Sequence, residues 1–255
     1  MFGSSSFCFW RRAHRGGAAG SRPARFIANG VLLTLFAAGC TITATALTPG
    51  ARLQLSQPLL EQVHADYGAL AHGRLVRWQA LLEEQSRALE WHRLLRINQF
   101  LNQVPFADDQ AHWGKEDFWA TPVQFLASNG GDCEDYAIAK LFSLTGAGVS
   151  PEKIRLTYVI STTPDKPSNR PQRQPHMVLL YTANPGEHPL VLDNMTGEVL
   201  PARERTDLEP VYSFNAEGLW LNAALDQATK VRSQPGSALW DNLLERMRQE
   251  GVFAR

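Results

Sequence analysis

Apolar side chains recur at helical spacing along the first third of the segment that follows residue 46. The first run of such positions is Leu59, Leu60, Val63, Tyr67, Leu70, Leu75, Trp78, Leu81 and Leu82. A second run is Leu94, Ile97, Phe100, Leu101 and Val104. Spacings of three and four residues place side chains on one face of an α-helix. The pattern therefore predicts long N-terminal helices that pack on a core, the last of which stops at Pro105.

A shorter helix is predicted after the turn sequence Asn129-Gly130-Gly131. Its apolar face comprises Tyr136, Ile138, Leu141 and Phe142. Asp132 is suited to cap the first turn, and Gly146 is suited to end the helix. Cys133 therefore falls at the N-terminus of a helix.

Strand periodicity follows, because apolar and polar side chains alternate from Ile154 to Ile160. Residues 176–181, 190–193 and 211–214 are predicted as further strands. Residues 162–175 are rich in proline and polar side chains and are predicted to form a mobile loop. Residues 237–250 form an amphipathic pattern that Gly251 can end. Helices followed by neighbouring strands indicate an α+β fold.

The composition is that of an ordinary globular protein and changes this picture little. The chain has 255 residues, 44% of them hydrophobic, which is enough for one sizeable core. Its 25 basic and 25 acidic side chains balance, and no basic run occurs beyond the N-terminus. Nucleic-acid binding is therefore not expected.

The N-terminal segment differs from the remainder of the chain. Five arginines between residues 11 and 25 precede an apolar stretch at residues 26–47, which is the order of a secretory signal. We expect cleavage after Ala46, so that residues 1–46 form a targeting segment and residues 47–255 the mature domain. Two alternatives stay open: lipidation at Cys40, and retention of the stretch as a membrane anchor.

The positions of the three cysteines indicate which thiol could take part in catalysis. Cys8 and Cys40 lie in the targeting segment, so a mature chain keeps only Cys133. A single thiol in an oxidising compartment is a liability unless it is buried or used. A helix N-terminus presents unpaired N–H groups and the positive end of the helix dipole, which favour a thiolate. Cys133 is therefore a candidate nucleophile.

Nucleophilic catalysis also needs a base and a group that orients the base. His176 opens one predicted strand and Asp193 ends the next, and neighbouring antiparallel strands would bring the two together. Cys133, His176 and Asp193 are thus a candidate Cys-His-Asp triad. His112 and His188 are alternative bases, although neither begins an apolar strand. By itself this pattern is equally compatible with three purely structural residues.

Three carboxylates flank the cysteine: Asp132, Glu134 and Asp135. Like charges disfavour ionisation, so these side chains oppose a thiolate. A bound calcium ion, which takes six to eight oxygen ligands, would neutralise them and fix the start of the helix. The alternative is that they cap the helix and complement its dipole without any metal. The spacing is not that of an EF-hand loop.

Several segments in order resemble the bacterial transglutaminase-like cysteine peptidases of the LapG type. They are FWATPVQFL, GGDCEDYAIAK, QPHMVLLY, LVLDN and LEPVYSFNAEGLWL. The resemblance implies an α+β fold in which a papain-like or transglutaminase-like core carries N-terminal helices, with the catalytic cysteine at a helix N-terminus packed on an antiparallel sheet. It also implies that Cys133, His176 and Asp193 form the triad and that calcium is a cofactor. Asp132 and Glu134 then correspond to the calcium ligands, with Asp135 as a further candidate.

The function implied by the resemblance is that of a calcium-dependent, periplasmic cysteine endopeptidase. Enzymes of this type cleave the N-terminal region of a large surface adhesin and so disperse biofilm, and an inner-membrane cyclic-di-GMP receptor inhibits them by sequestration. The adhesin and the receptor are the expected partners. Two other functions stay open: a transglutaminase-like acyl transferase or deamidase that uses the same triad, and a non-enzymatic calcium-binding or adhesin-binding module.

Overall fold

The computed structural model describes residues 53–164, 171–234 and 237–252. The helices of this part of the chain are α1 (Gln57–Gln85), α2 (Glu90–Leu101), α3 (Asp109–His112), α4 (Pro122–Ser128), α5 (Cys133–Gly146) and α6 (Ala238–Glu250). Its strands are β1 (Ile154–Pro164), β2 (Pro171–Tyr181), β3 (Leu190–Leu192), β4 (Val199–Pro201), β5 (Leu208–Asn215), β6 (Gly218–Ala224) and β7 (Gln227–Arg232). Short 3-10 helices occupy Pro151–Lys153 and Ala202–Glu204. The predicted targeting segment, residues 1–46, lies outside the described residues.

The predicted N-terminal helices are confirmed, with one interruption that the apolar pattern did not indicate. Ser56 begins α1 by accepting a hydrogen bond from the Leu59 N–H. Gly68 breaks the helix with φ 82° and ψ 179°, a backbone conformation that glycine reaches without a Cβ penalty. Trp78 and Leu75 lie on the buried face of the second part. None of the described helices has both the length and the apolar character that a membrane span requires.

The described strands form one seven-stranded sheet in the order β4-β3-β2-β1-β5-β6-β7. Every neighbouring pair in it is antiparallel. Five of the six described α-helices precede the sheet in the chain, and α5 packs on β2 and β1. The α+β class and the packing of a helix on an antiparallel sheet are therefore confirmed.

The prediction of a mobile loop at residues 162–175 is wrong over most of its length. β1 continues to Pro164 and β2 begins at Pro171, with Thr162 paired to Arg173 across the hairpin. Residues 165–170 lie outside the described residues. The prediction from local composition is wrong here because pairing between β1 and β2 stabilises segments that are rich in polar residues and proline. The pattern of one segment does not reveal which other segment it pairs with. Three strands, β4, β6 and β7, were not predicted.

The sheet carries a core on each face. Met177 and Leu179 of β2 belong to the larger core, which the helices complete, whereas the alternate residues Val178 and Leu180 belong to a smaller one. The His188 Nδ1 atom lies 3.1 Å from Asp226 Oδ2 and joins the β2–β3 connection to the β6–β7 turn. Because β1 and β5 separate these two hairpins in the sheet, the contact requires the sheet to curve around the smaller core.

The C-terminal helix α6, predicted from its amphipathic pattern, packs against α4 and the segment before it. Arg246 donates to the Trp119 carbonyl and to Gln124 Oε1, at 2.6 Å each. Thr121 Oγ1 donates to Glu250 Oε1 at 2.7 Å. α6 therefore holds the chain segment that leads into the cysteine-bearing helix.

Candidate active site

Cys133 is the first residue of α5, as the turn pattern before it predicted, and it is almost completely buried. Asn129 ends α4 in the left-handed conformation with φ 59°, and two glycines return the chain to the start of α5. Asp132 occupies the N-cap position, but its side chain makes no capping hydrogen bond. The Cys133 Sγ atom lies 2.8 Å from Glu134 Oε2. A carboxyl group thus contacts the candidate nucleophile directly.

Gly131 gives the site room that another residue would fill. A Cβ atom at this position would lie 2.5 Å from Asp135 Oδ2 and 2.7 Å from a ring carbon of Phe125. The Gly131 carbonyl accepts a hydrogen bond from the Ala107 N–H at 2.9 Å, which fixes the strand-like approach to α5. The glycine is therefore required by the close approach of Asp135.

His176 and Asp193 lie together, as predicted from the order of the strands. His176 Nε2 and Asp193 Oδ1 are 2.8 Å apart, and the two side chains are 4% and 0% exposed. An ionised carboxylate can only accept, so the Nε2 atom must carry the proton of this bond. The His176 Nδ1 atom is then the acceptor nitrogen of the neutral ring, which is the tautomer that a general base requires.

The charge of Asp193 is well supported despite its burial. Burial alone would raise its pKa, but the hydrogen bond from His176, the Met195 N–H and the Arg205 guanidinium together lower the pKa of Asp193 below its usual range. Met195 N donates to Asp193 Oδ1 at 3.0 Å. Asn102 Nδ2 donates to the Asp193 carbonyl at 2.8 Å and holds its backbone. Asp193 is therefore an anchored carboxylate.

Two of the candidate triad residues, Cys133 and His176, belong to elements that contact each other, and Asp193 directly follows β3, which pairs with β2. α5, which begins with Cys133, packs directly on β2, which carries His176. The alternative bases have different environments. His188 lies at an exposed turn beside Asp226, and the His112 ring packs edge-on against Trp113. His176 is thus the histidine that is buried, paired with a carboxylate and carried by the strand under α5.

A compact group of carboxylates lies at the start of α5. One oxygen each of Asp109, Asp132 and Asp135 lies within 4.8 Å of the other two, and all three residues are buried. Asp109 comes from α3 and was not predicted as a ligand. Its only sequence signal was its place in the polar, aromatic segment that leads towards Cys133.

In two of these carboxylates, only one of the two oxygens accepts a hydrogen bond from a backbone N–H. Asp109 Oδ2 accepts from the Phe118 N–H at 2.5 Å, and Asp135 Oδ1 accepts from the Ala120 N–H at 2.6 Å. The other oxygen of each, Asp109 Oδ1 and Asp135 Oδ2, is buried and accepts no hydrogen bond from the described residues. Buried carboxylate oxygens of this kind are the hard ligands that calcium prefers, so the donor set fits such an ion.

The raised pKa values of these carboxyl groups also fit a bound cation. Burial, with the charges of nearby Asp117 and Asp108, raises the pKa of Asp109 to about 6. Burial and mutual repulsion raise the pKa values of Asp132 and Asp135 well above the ordinary range. These carboxyls repel one another unless protons or a cation neutralise them. A divalent cation would supply that neutralisation.

Glu134, also predicted as a ligand, stands at the edge of the group. Its carboxyl contacts Cys133 Sγ and is hydrogen-bonded to Asp132. Burial, followed by the charges of Asp117 and Asp135, raises the pKa of Glu134 to about 8. Its role as a calcium ligand stays a prediction, as do the roles of Asp132 and Asp135.

Comparison with known proteins agrees with this site. The model of a family described as bacterial transglutaminase-like cysteine proteinase matches residues 77–220. An EGTA-treated structure of Legionella pneumophila LapG is 33% identical with a TM-score of 0.63, and the match covers 77% of this chain and 100% of that one. A calcium-bound structure of the same protein is 35% identical with a TM-score of 0.61, covering 76% and 99%. A third LapG structure is 34% identical with a TM-score of 0.60, covering 77% and 99%.

No protein of curated function matches the chain. The family match extends over more than half of the chain, and the structural matches span nearly the whole of LapG. The sequence resemblance, the transglutaminase-like fold and the assignment as a cysteine peptidase are thereby confirmed. The chain belongs to the bacterial transglutaminase-like cysteine proteinases.

Proposed function

We propose that this cysteine peptidase is a calcium-dependent endopeptidase in which Cys133, His176 and Asp193 act as a triad. The observation that carries the proposal is the buried His176–Asp193 pair, with 2.8 Å between Nε2 and Oδ1. His176 belongs to β2, the strand that packs under the helix begun by Cys133, and Asp193 directly follows the neighbouring strand β3. The pair leaves His176 Nδ1 as the acceptor for a thiol proton.

In this mechanism His176 Nδ1 takes the proton of the Cys133 thiol, and Sγ attacks the carbonyl carbon of the scissile peptide bond. The proton passes from His176 to the leaving nitrogen as the C–N bond breaks, and a thioester forms. Water, deprotonated by His176, then adds to the thioester carbonyl, and the carboxylic acid product and the thiol are released. Asp193 stabilises the imidazolium that forms in each half of the reaction. The Cys133 N–H at the start of α5 is a donor for the oxyanion.

We propose that Asp109, Asp132 and Asp135 hold the calcium ion, with Glu134 as a further ligand. When bound, calcium supplies charge neutralisation beside the thiol. The support is the group of three buried carboxylates within 4.8 Å of one another. The relative LapG has been solved both calcium-bound and EGTA-treated.

The substrate, partner and location are proposed from the family resemblance. We propose that the substrate is the N-terminal region of a large surface adhesin, whose cleavage releases the adhesin and disperses biofilm. An inner-membrane cyclic-di-GMP receptor is the proposed inhibitor, and the periplasm is the proposed compartment.

The test is cleavage of an adhesin N-terminal fragment by the purified protein, followed by mass spectrometry of the products. We expect cleavage with calcium and none with a calcium chelator or in Cys133→Ala. Cleavage that survives the chelator would remove calcium from the mechanism and leave the thiol enzyme. Cleavage that survives in Cys133→Ala would contradict the triad.

The same reaction mixtures distinguish peptide hydrolysis from acyl transfer. An acyl transferase or deamidase would release ammonia from glutamine-containing peptides while the backbone stayed intact. We expect new peptide termini without ammonia. Ammonia release with an intact backbone, lost in Cys133→Ala, would replace the proposed endopeptidase with the transferase.

A further inference from the structure

Arg205 is a buried cation next to the site that the mechanism above does not use. It follows the 3-10 helix Ala202–Glu204, and its side chain is only 7% exposed. The Arg205 Nη2 atom lies 2.8 Å from Asp193 Oδ2 and 2.7 Å from Asp207 Oδ2. A buried charge requires such partners, because an unpaired ion in the interior is costly.

Arg205 is held in place by contacts other than the one with Asp193. Its Nε atom donates to Asp207 Oδ1 at 2.9 Å, so the guanidinium meets Asp207 through both Nε and Nη2. The Asp207 carbonyl in turn accepts from the Thr162 N–H of β1 at 2.8 Å. The contacts with Asp207 therefore hold the guanidinium against the sheet independently of Asp193.

Each oxygen of Asp193 has a different set of neighbours. Oδ1 receives the His176 Nε2–H and the Met195 N–H, whereas Oδ2 faces Arg205. Two further charged groups interact electrostatically with Asp193, the buried Lys140 of α5 and Asp207. The position of Oδ2 is thus set by an ion pair, and Oδ1 is left to face the imidazole.

We propose that Arg205 is a positioning residue, which holds the Asp193 carboxylate in the rotation that directs Oδ1 to His176 Nε2. This inference rests on the proposed triad, since it concerns how the acid of the triad is oriented. A planar guanidinium can meet two carboxylates at once, whereas an ammonium group offers only a point charge. Arginine therefore suits a position between Asp193 and Asp207.

The test compares Arg205→Gln, Arg205→Lys and Asp207→Asn in the full chain. Arg173→Gln is the matched control, because it breaks an exposed arginine–carboxylate pair with Glu209 on the same sheet. The first measurement is the downfield NMR signal of the His176 Nε2 proton, identified by its loss in His176→Ala. The second is the rate of Cys133 alkylation by iodoacetamide, followed on the Cys133 peptide. Urea unfolding of each variant completes the set.

We expect Arg205→Gln to lose the downfield signal and to slow alkylation by about 100-fold, the cost of a small misplacement of a catalytic group. Arg205→Lys should restore the signal, because it returns a positive charge beside Oδ2. Arg173→Gln should change neither readout. A signal that persists in Arg205→Gln would overturn the proposal, even if unfolding showed a loss of stability.

If Arg205→Gln does not fold, the Asp207→Asn variant provides the test of the proposal. It retains Arg205 but removes the charge that anchors the guanidinium, so the His176 Nε2 proton should exchange with solvent faster. An unchanged exchange rate would overturn the proposal. The NMR measurement requires no substrate and is therefore independent of the proposed peptidase reaction. If that reaction is wrong, the wild-type chain would cleave no substrate, yet the His176 signal would still change when Arg205 is replaced.

Discussion

At the residue scale, the site contains buried carboxylates whose surroundings shift their pKa values in opposite directions. Asp193 is surrounded by His176, Arg205 and a backbone N–H and is held ionised. Asp109, Asp132 and Asp135 share one small volume and are pushed towards protonation. The same side-chain chemistry is thus held charged in one place and driven towards the neutral form in the other, because the neighbouring charges differ.

Replacing Asp193 tests the first of these environments. Asp193→Asn leaves Arg205 with only one carboxylate, and we expect a loss of about 2 kcal/mol in the free energy of unfolding at pH 7, somewhat below the usual cost of a broken buried pair. The folded-state pKa of Asp193 lies below its unfolded value, so its contribution is present above a pH of about 4 and is lost as the pH falls further. The difference between wild type and variant should therefore shrink below that pH.

Urea unfolding of both proteins at a series of pH values measures this difference. Asp241→Asn removes an exposed carboxylate and is the control. A difference that stays constant through the acid range would contradict the role assigned to the Asp193 charge.

Gly131 tests the second environment. In Gly131→Ala the new methyl group would meet Asp135 Oδ2 and the Phe125 ring, so either the carboxylate or the ring must move. We expect a loss of about 1 to 3 kcal/mol in the free energy of unfolding and weaker calcium binding by calorimetry. Gly197→Ala is the matched control, because a Cβ there meets nothing within 4 Å. Equal effects of the two substitutions would contradict this reading of Gly131.

At the scale of elements, the docking of α6 places a carboxyl group where it is partly deprived of water. Burial raises the pKa of Glu250 to about 7, although Thr121 and Arg246 act in the opposite direction. The folded protein therefore holds this proton more tightly than the unfolded chain does. Wild-type stability should rise as the pH falls from about 7 towards the ordinary glutamate pKa of about 4.3.

Glu250→Gln is neutral at every pH and retains an oxygen that can accept from Thr121. We expect it to exceed wild type in stability by roughly 1 to 2 kcal/mol at pH 8, discounted for partial exposure, and to match wild type near pH 4. Thermal or urea unfolding at the two pH values measures this. Glu198→Gln, at an exposed position, should show no such crossover. A variant less stable than wild type at pH 8 would show that the charged form of Glu250 is favoured.

At the scale of the whole molecule, calcium is expected to act on stability as well as on catalysis. An ion that binds only the folded chain stabilises it by about 2.7 kcal/mol at a hundredfold excess over Kd. For a domain of this size that corresponds to about 5 to 10 °C in Tm. We expect this increase with calcium, its reversal by a chelator, and its loss in Asp109→Asn.

The choice of Asp109 makes the test specific to the tertiary structure, because this residue is distant in sequence from the other proposed ligands. Glu116→Gln removes an exposed acidic group of the same segment and should retain the response to calcium. A full calcium response in Asp109→Asn would exclude that residue from the site.

The whole fold also shows where sequence patterns stop being informative. Helical spacing predicted α1, α2, α5 and α6, since packed helices repeat their apolar side chains over several turns. The short strands β3 and β4, with three residues each, offer little periodicity, and only the first was predicted. Residues 162–175 were assigned to a loop because proline and polar side chains dominate them, although pairing between β1 and β2 makes strands of the described parts, residues 162–164 and 171–175.

The sequence alone determined that Cys133 begins a helix, that His176 lies on a strand with Asp193 at the end of the next one, and that carboxylates flank the thiol. These features are local, because turn residues, helix caps and short-range periodicity depend only on neighbours in the chain. Tertiary structure alone decided that Asp109 joins Asp132 and Asp135, that Arg205 faces Asp193, and that α6 contacts the segment before α5. The physical reason is that these contacts join residues far apart in the chain, and only the packing of helices on a curved sheet brings such side chains within bonding distance.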